Sequence, residues 1–361
     1  MVLYVGVDVG GTKVLAGEVT RAGTVLRTAR RTTPGRRVSV ESVEDALTAA
    51  VLDVAGGRRI AGVGLAAAGF VDATGERVMF APHLPWVGDP VRDRLSRRWG
   101  APVALDNDAN CAAVAESAYG AARGASSALV ITLGTGIGGA YVLGGEVVRG
   151  AQGMAGEFGH MRLVPDGRAC ECGMTGCWEQ YCSGNALVRL ARARVLVEPT
   201  VLAEMCDGRP DRLTGPMVTA AAESGDLVAR QSFAAVGTWL GIGLGALTSA
   251  LDPELVVVGG GVSAAGERLL DPARSALEQT VVGSAHRTPP RVVAARLGPE
   301  AGIIGAALLA RAARWSGSAR AAMTGRSVVP ARAVAADRGD YRVGVRGPRR
   351  RRPGRGARGS F

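Results

Sequence analysis

Leu3-Tyr4-Val5-Gly6-Val7-Asp8-Val9-Gly10-Gly11-Thr12-Lys13 is an apolar run that stops on a carboxylate and a pair of glycines, with a threonine and a lysine directly behind. The run has the length and composition of a buried strand, and the glycines turn the chain. Without a Cβ, the N–H groups of such a turn can close on a phosphate oxygen. The arrangement recurs. A strand expected over 128–133 ends in Gly134-Thr135-Gly136-Ile137-Gly138-Gly139, and another over 255–258 ends in Gly259-Gly260-Gly261. One glycine turn is weak evidence, because strand-to-helix loops use glycine for geometry alone. Three, with Asp8, Thr12 and Thr135 beside them, point to a polyphosphate chain. None is a Walker A loop or a G-x-G-x-x-G in the right place, which disfavours P-loop and Rossmann sites.

Between these turns the pattern alternates strand and helix, which is the pattern of an α/β protein. Residues 13–20 and 24–31 read as hairpin strands joined at Ala22-Gly23, 43–54 as a helix, and 60–68 and 102–105 as strands. A helix is expected over 109–119, stopped by Gly120. Strand, Gly/Thr turn and second strand occur near residue 8 and again near residue 134, as in an internal duplication of architecture. Helices are expected after residue 261, to about residue 315. Residues 231–251 carry no charge and are long enough to span a bilayer, but Gly237, Gly241, Gly243 and Gly245 suit close packing, so a buried helix is expected there.

The 361 residues suffice for two packed domains, and 47% hydrophobic with 21% charged residues is a globular profile. The net charge of +11 raises the question of nucleic acid. Residues 316–361 hold twelve Arg and two Asp, a balance of +10, so the other 315 residues carry +1. The basicity belongs to an Arg-rich tail, read as disordered. Arg349–Arg352 could meet a polyanion or stand as a solvated extension. Lys13 is the single lysine of the chain; it could offset phosphate charge or be a solvated strand residue. Asp8 could offer a carboxylate to magnesium. No signal peptide is expected, and the reading is of a cytoplasmic protein.

Cys170, Cys172, Cys177 and Cys182 fall within 13 residues. Clustering in a large chain argues against a disulfide framework. Cys170, Cys172 and Cys177 with His160 form H-x9-C-x-C-x4-C, a Cys3His set that closes a structural zinc site. Cys182, Cys111 and Cys206 read as packed thiols. A closed site leaves no position for substrate, so the zinc would fix a loop. That loop bears Glu157, three residues from His160 and able to face the same way on a helical turn, and Glu179, two residues after Cys177. Asp106-Asn107-Asp108-Ala109-Asn110 precedes a helix, and Asp108 stands where a carboxylate would cap it and stay ionised.

Asp8-Val9-Gly10-Gly11-Thr12-Lys13, Leu133-Gly134-Thr135-Gly136-Ile137-Gly138-Gly139 and Val258-Gly259-Gly260-Gly261-Val262-Ser263 resemble the two phosphate segments and the adenosine segment of the actin-like ATPase superfamily. Within it the chain resembles the ROK family (repressors, uncharacterised reading frames and kinases), especially its actinobacterial-type glucokinases, from about residue 3 to 313. The resemblance implies an actin-like (ribonuclease H-like) fold of two α/β domains with an interdomain cleft. The small one is expected over 1–116 plus about 298–315, the large one over 117–297 with the zinc site. It implies phosphorylation of glucose at O6 by ATP, with Mg2+ and structural Zn2+. Phosphate and adenosine contacts would come from Asp8, Gly10, Gly11, Thr12, Lys13, Gly134, Thr135, Gly136, Gly138, Gly259, Gly260, Gly261 and Ser263. Gly69, Asn107, Asp108, Glu157, His160 and Glu179 would meet the sugar, and Asp108 would also act as general base.

Three positions depart from the family pattern: His83 where Asn is frequent, Ala140 for glycine and Asp106 for glutamate. His83 leaves sugar preference open among glucose, mannose, N-acetylhexosamines and fructose. A sugar-responsive repressor is the other reading, but the first phosphate motif starts at residue 8 and no helix-turn-helix is expected before it. A homo-oligomer, dimer or tetramer, is expected; a membrane is not, nor nucleic acid except through the tail.

Overall fold

The structure, a computed structural model, describes residues 2–323 except Pro34, with side chains described to residue 313. Met1–Ala319 forms one compact unit and Arg320–Phe361 a second, of which only the backbone of 320–323 is described.

Two five-stranded sheets organise the first unit. The strands of the first sheet are β1 (Leu3–Val9), β2 (Lys13–Val19), β3 (Val25–Thr32) and β4 (Ile60–Ala67) with a distal member at Val103–Asn107. A small separate hairpin, β5 (Phe70–Val71) and β6 (Val78–Phe80), precedes that distal strand, which is β7. The second sheet holds β8 (Ser127–Leu133), β9 (Ile137–Leu143), β10 (Glu146–Val147), β11 (Leu255–Gly259) and β12 (Arg291–Ala294). Their orders are β3-β2-β1-β4-β7 and β10-β9-β8-β11-β12. In each, the first three strands pair antiparallel and the last two join in parallel. The duplication expected around residues 8 and 134 is therefore present strand for strand: β1 answers to β8, and β4 to β11.

Nine described helices cover the sheets: α1 (Val40–Ala55), α2 (Val91–Trp99), α3 (Asp108–Tyr119), α4 (Gly184–Arg192), α5 (Val201–Met205), α6 (Gly215–Ser224), α7 (Leu227–Leu251), α8 (Glu267–Thr280) and α9 (Ala301–Met323). α1 starts where the Ser39 hydroxyl accepts from Ser42 N–H and stops at Gly56 in the left-handed region, φ 54°. Strands covered on both faces are apolar almost throughout rather than alternating: Val5, Val7, Val63 and Leu65 are all fully buried. They form one core with Leu47 and Trp86, while Leu129, Ile131, Trp178, Phe233 and Leu240 belong to a second core under the other sheet.

α9 lies directly on the first sheet because glycines let it. A Cβ on Gly6 would fall 1.8 Å from the Ile303 carbonyl oxygen, and one on Gly64 1.8 Å from that of Ala306. Neither neighbour is a side-chain tip that can swing away. Gly64→Ala is therefore expected to lower stability by about 1–3 kcal/mol, the usual cost of overpacking, read as a lower urea midpoint at unchanged slope.

The uncharged run at 231–251 is the body of α7, packed along α8. A Cβ on Gly241 would sit 2.2 Å from the Ala273 carbonyl oxygen of α8. By length and composition α7 could cross a membrane, but Phe233, Val236, Leu240 and Leu244 are fully buried in the second core. A Cβ on Gly243 would strike the Trp178 ring at 2.1 Å, and Trp178 Nε1 donates to the Trp239 carbonyl at 2.7 Å. The loop after Cys177 is thereby anchored to α7.

Two expectations need correction. The stretch after residue 261 is not helical throughout: β12 intervenes directly after Pro289-Pro290, and its four residues are too few to show a period. α9 also runs to Met323, eight residues into the segment expected to be disordered. The rest of that segment, 324–361, including Arg349–Arg352, lies outside the described residues.

Candidate functional site

Each glycine turn stands at the end of a central strand. After β1, Gly10 N–H donates to the Lys13 carbonyl at 3.0 Å, and Thr33 Oγ1 donates to the Gly10 carbonyl at 2.8 Å, so Gly11 and Thr12 are held at the tip. After β8, Gly134 N–H donates to the Gly136 carbonyl at 3.0 Å. The third turn packs on the second: Gly260, φ 86°, leaves only 2.4 Å between a would-be Cβ and the Leu133 carbonyl oxygen. The Gly184 N–H of α4 also donates to the Gly134 carbonyl, at 2.8 Å.

A cavity of about 690 Å³ lies against the second turn, lined by Thr135, Gly136, Glu179, Arg189 and Arg192 together with His83 from the loop between β6 and α2. Gly259, Gly260, Gly261 and Ser263 do not line it. Ser263 Oγ donates to the Gly260 carbonyl at 2.7 Å.

Four carboxylates converge beside the turns. Asp8 ends β1, Asp108 heads α3, Glu157 precedes a 3-10 turn over Phe158–His160, and Glu179 lies in a second 3-10 turn over Trp178–Gln180. The helical turn expected to place Glu157 beside His160 is that first 3-10 turn. Burial pushes Asp8 up to about 7; the Asp108 charge adds to this, and Lys13 pulls it down. Glu157 is pushed up to about 7 by burial and by the charges of Asp108 and Glu179. Packing puts three of the four around the second turn and β9: a Cβ on Gly136 would meet Glu179 Oε2 at 2.3 Å, one on Gly138 the Cβ of Ala109, next to Asp108, at 3.0 Å, and one on Gly139 the Gly156 carbonyl oxygen, next to Glu157, at 2.8 Å. Burial also raises Asp108, opposed by hydrogen bonds from backbone N–H groups and Asn107.

The cap of α3 is not Asp108. Asn107 holds that position, its Oδ1 accepting from Ala109 N–H at 2.8 Å and Asn110 N–H at 3.1 Å. Asn107 adopts the extended backbone of an N-cap (ψ 150°), which shifts the helix start by one residue. Asp108, in the first turn, is a carboxylate raised by burial and so a stronger base than a solvated one. Asn107 Nδ2 donates to the Gly69 carbonyl at 3.1 Å, joining two expected sugar contacts.

Asp106 and Arg149 were not legible as a pair. Arg149 Nη2 and Nε reach Asp106 Oδ2 at 2.6 and 2.8 Å, while Asp106 Oδ1 accepts from Asn107 N–H and Asn110 Nδ2. This half-buried ion pair ties the loop after β10 to the head of α3. Nothing in the spacing of 43 residues announces it.

His160, Cys170, Cys172 and Cys177 bring four donor atoms within 4.8 Å of one another. Cys172 Sγ and Cys177 Sγ are 3.6 Å apart, and Cys170 Sγ is 3.7 Å from His160 Nδ1. Zinc–sulfur bonds of about 2.3 Å at a tetrahedral angle require edges of about 3.7 Å, so the set fits zinc. Glu179 Oε1 stands 3.7 Å from His160 Nδ1, and its Oε2 faces Ile137 N–H at 3.4 Å. With Nδ1 turned to the thiols, Nε2 remains for a further hydrogen bond. All six cysteines are free thiols.

A family model described as ROK family matches residues 4–313. The glucokinase of Streptomyces coelicolor is 43% identical over 314 residues, 86% of this chain and 98% of that protein. A crystal structure of a ROK family glucokinase from Streptomyces griseus, in complex with glucose and AMPPNP, is similar at 45% identity and a TM-score of 0.81, covering 86% of this chain and 99% of that one. The ROK hexokinase of Thermus thermophilus is 36% identical, with a TM-score of 0.66 over 87% of this chain and 100% of its own. With the duplicated sheets, these likenesses give the actin-like ATPase fold.

Proposed function

The chain belongs to the ROK family, and from that premise we propose that it transfers the γ-phosphoryl group of ATP to O6 of glucose. The observation that carries the reading is the convergence of Asp108, Glu157 and Glu179 beside the second glycine turn and a Cys3His cluster.

Glucose hydroxyls bind to Glu157, Glu179, His160 Nε2, Asn107 and the backbone of Gly69. A polyhydroxy ligand needs this many fixed partners, because each unmatched group costs affinity. Asp108 accepts the O6 proton as the O6–P bond forms and the bridging bond to the β-phosphate breaks. The leaving ADP keeps the electron pair. Gly10, Gly11, Thr12 and Lys13 with Gly134, Thr135, Gly136 and Gly138 cradle the phosphates; Gly259, Gly260, Gly261 and Ser263 meet the adenosine. Most of the acceleration comes from positioning and charge neutralisation.

Asp8 is the residue that would hold Mg2+, which when bound neutralises phosphate charge. Its carboxylate has no hydrogen bond among the described residues and is raised to about 7 by burial, as a carboxylate awaiting a cation would be. His160, Cys170, Cys172 and Cys177 would hold structural Zn2+, fixing the loop that carries Glu157 and Glu179. In the same reading a small domain of 1–116 with about 298–315 and a large one of 117–297 close over the sugar. The same reading makes the protein a cytoplasmic homo-oligomer.

The assignment is tested by supplying glucose and Mg-ATP and measuring glucose 6-phosphate with its dehydrogenase. Stoichiometric formation with ADP is the expected result; ADP without glucose 6-phosphate would overturn it.

Asp8 also makes a stability prediction. Its folded pKa, about 7, exceeds the ordinary value of 3.8, so the folded state holds the proton more tightly than the unfolded state. That contribution is complete below about pH 4 and is lost as pH rises through 7. D8N lacks it. Without nucleotide or metal, D8N is expected to melt above the unsubstituted protein at pH 8, with the margin shrinking at pH 5, while losing activity. Equal margins at both pH values would contradict the shift.

A further inference from the structure

His83 is exposed, and among the described residues its ring has no hydrogen bond or ion pair. Its Cβ is nevertheless packed against a neighbour. A Cβ on Gly11 would fall 2.5 Å from His83 Cβ and 3.1 Å from its Cγ, so the residue packs against the tip of the first phosphate turn. The same residue lines the 690 Å³ cavity that holds Thr135 and Gly136 of the second turn and Glu179 of the sugar shell. It is the one lining residue of that cavity contributed from before residue 120, among those described. His83 thus stands between the tip of the first turn, on which its Cβ packs, and the cavity against the second.

An imidazole offers at least one N–H donor whether neutral or protonated. A donor held beside a phosphoryl oxygen stabilises the charge that develops during transfer. Hydrogen bonds to charged oxygens are the strong ones. We infer that His83 is a further catalytic residue, whose imidazole donates a hydrogen bond to the γ-phosphoryl group of the nucleotide and bridges the two glycine turns. The inference rests on the ATP-dependent reading of the site. It adds an imidazole contact to a phosphate site otherwise built of the glycine turns with Thr12, Lys13 and Thr135.

H83A retains the Cβ that packs on Gly11 and removes only the ring. Titration with Mg-AMPPNP and Mg-ADP separates the γ-phosphoryl from the rest of the nucleotide. H83A is expected to weaken Mg-AMPPNP about tenfold and Mg-ADP less than about threefold. With glucose, kcat should fall about 10- to 100-fold while the glucose KM stays within about threefold, and H83Q, with an amide donor, should recover part of both losses. Unchanged AMPPNP affinity, equal losses for AMPPNP and ADP, or a glucose KM that rises with kcat intact would each overturn the assignment. Failure of the unsubstituted protein to phosphorylate glucose would instead overturn the choice of sugar acceptor, and the two titrations would still decide the role of His83.

Discussion

Asp108→Asn is expected to reduce turnover with glucose and Mg-ATP by at least about 10²-fold, towards the 10⁴-fold end of general-base effects, while glucose affinity changes less than about threefold. The asymmetry follows from the local structure. Asp108 Oδ1 accepts from Ala109 N–H at 2.9 Å, and an asparagine oxygen can do the same. The cap of α3 belongs to Asn107 and is untouched. The substitution removes the proton acceptor and little else. It also removes one of the charges that raise Glu157 and Asp8, so both should titrate lower in the variant. Steady-state kcat together with glucose titration by calorimetry measures both sides. Near-normal turnover would remove Asp108 from the mechanism; lost binding with it would make Asp108 a sugar contact first.

Loss of the metal site is the second large effect. Cys172 is the exposed member of the Cys3His set, whereas Cys177 is fully buried. Cys172→Ser therefore deletes a ligand with little disturbance of packing. Zinc content should fall from about one per chain to near zero. The glucose KM should rise more than about tenfold, since losing partners that orient a ligand group commonly costs that much. Glu179 would lose its fixed place between His160 and the second phosphate turn, where its Oε2 faces Ile137 N–H. AMPPNP affinity should stay within about threefold, because the glycine turns are held by their own strands and by α4. Metal analysis beside glucose kinetics is decisive. Retained zinc would contradict the ligand set, and lost zinc with an unchanged glucose KM would contradict its role in fixing the sugar shell.

The strands that carry the glycine turns were legible because burial on both faces demands continuous apolar runs, and glycine marks where they stop. The Cys3His set was legible because three of its ligands lie close together in the chain, within reach of one of three histidines. The cap of α3 was misread by one residue, because Asn107 and Asp108 are equally able to cap and only the backbone angle decides. β12 was hidden by its length. The Asp106–Arg149 pair and the packing of His83 on Gly11 depend on chain segments far apart in sequence, and local pattern has no term for them. What sequence reading lacked at the site was therefore the set of long-range contacts that hold its polar groups in place.

The most direct test of the central claim is a coupled assay of ADP release across glucose, mannose, N-acetylglucosamine, N-acetylmannosamine and fructose, repeated with polyphosphate in place of ATP and with product sugar phosphate as the readout there. The account predicts the highest kcat/KM for glucose with ATP. A tenfold higher kcat/KM for another hexose, or turnover from polyphosphate that exceeds that from ATP, would contradict it.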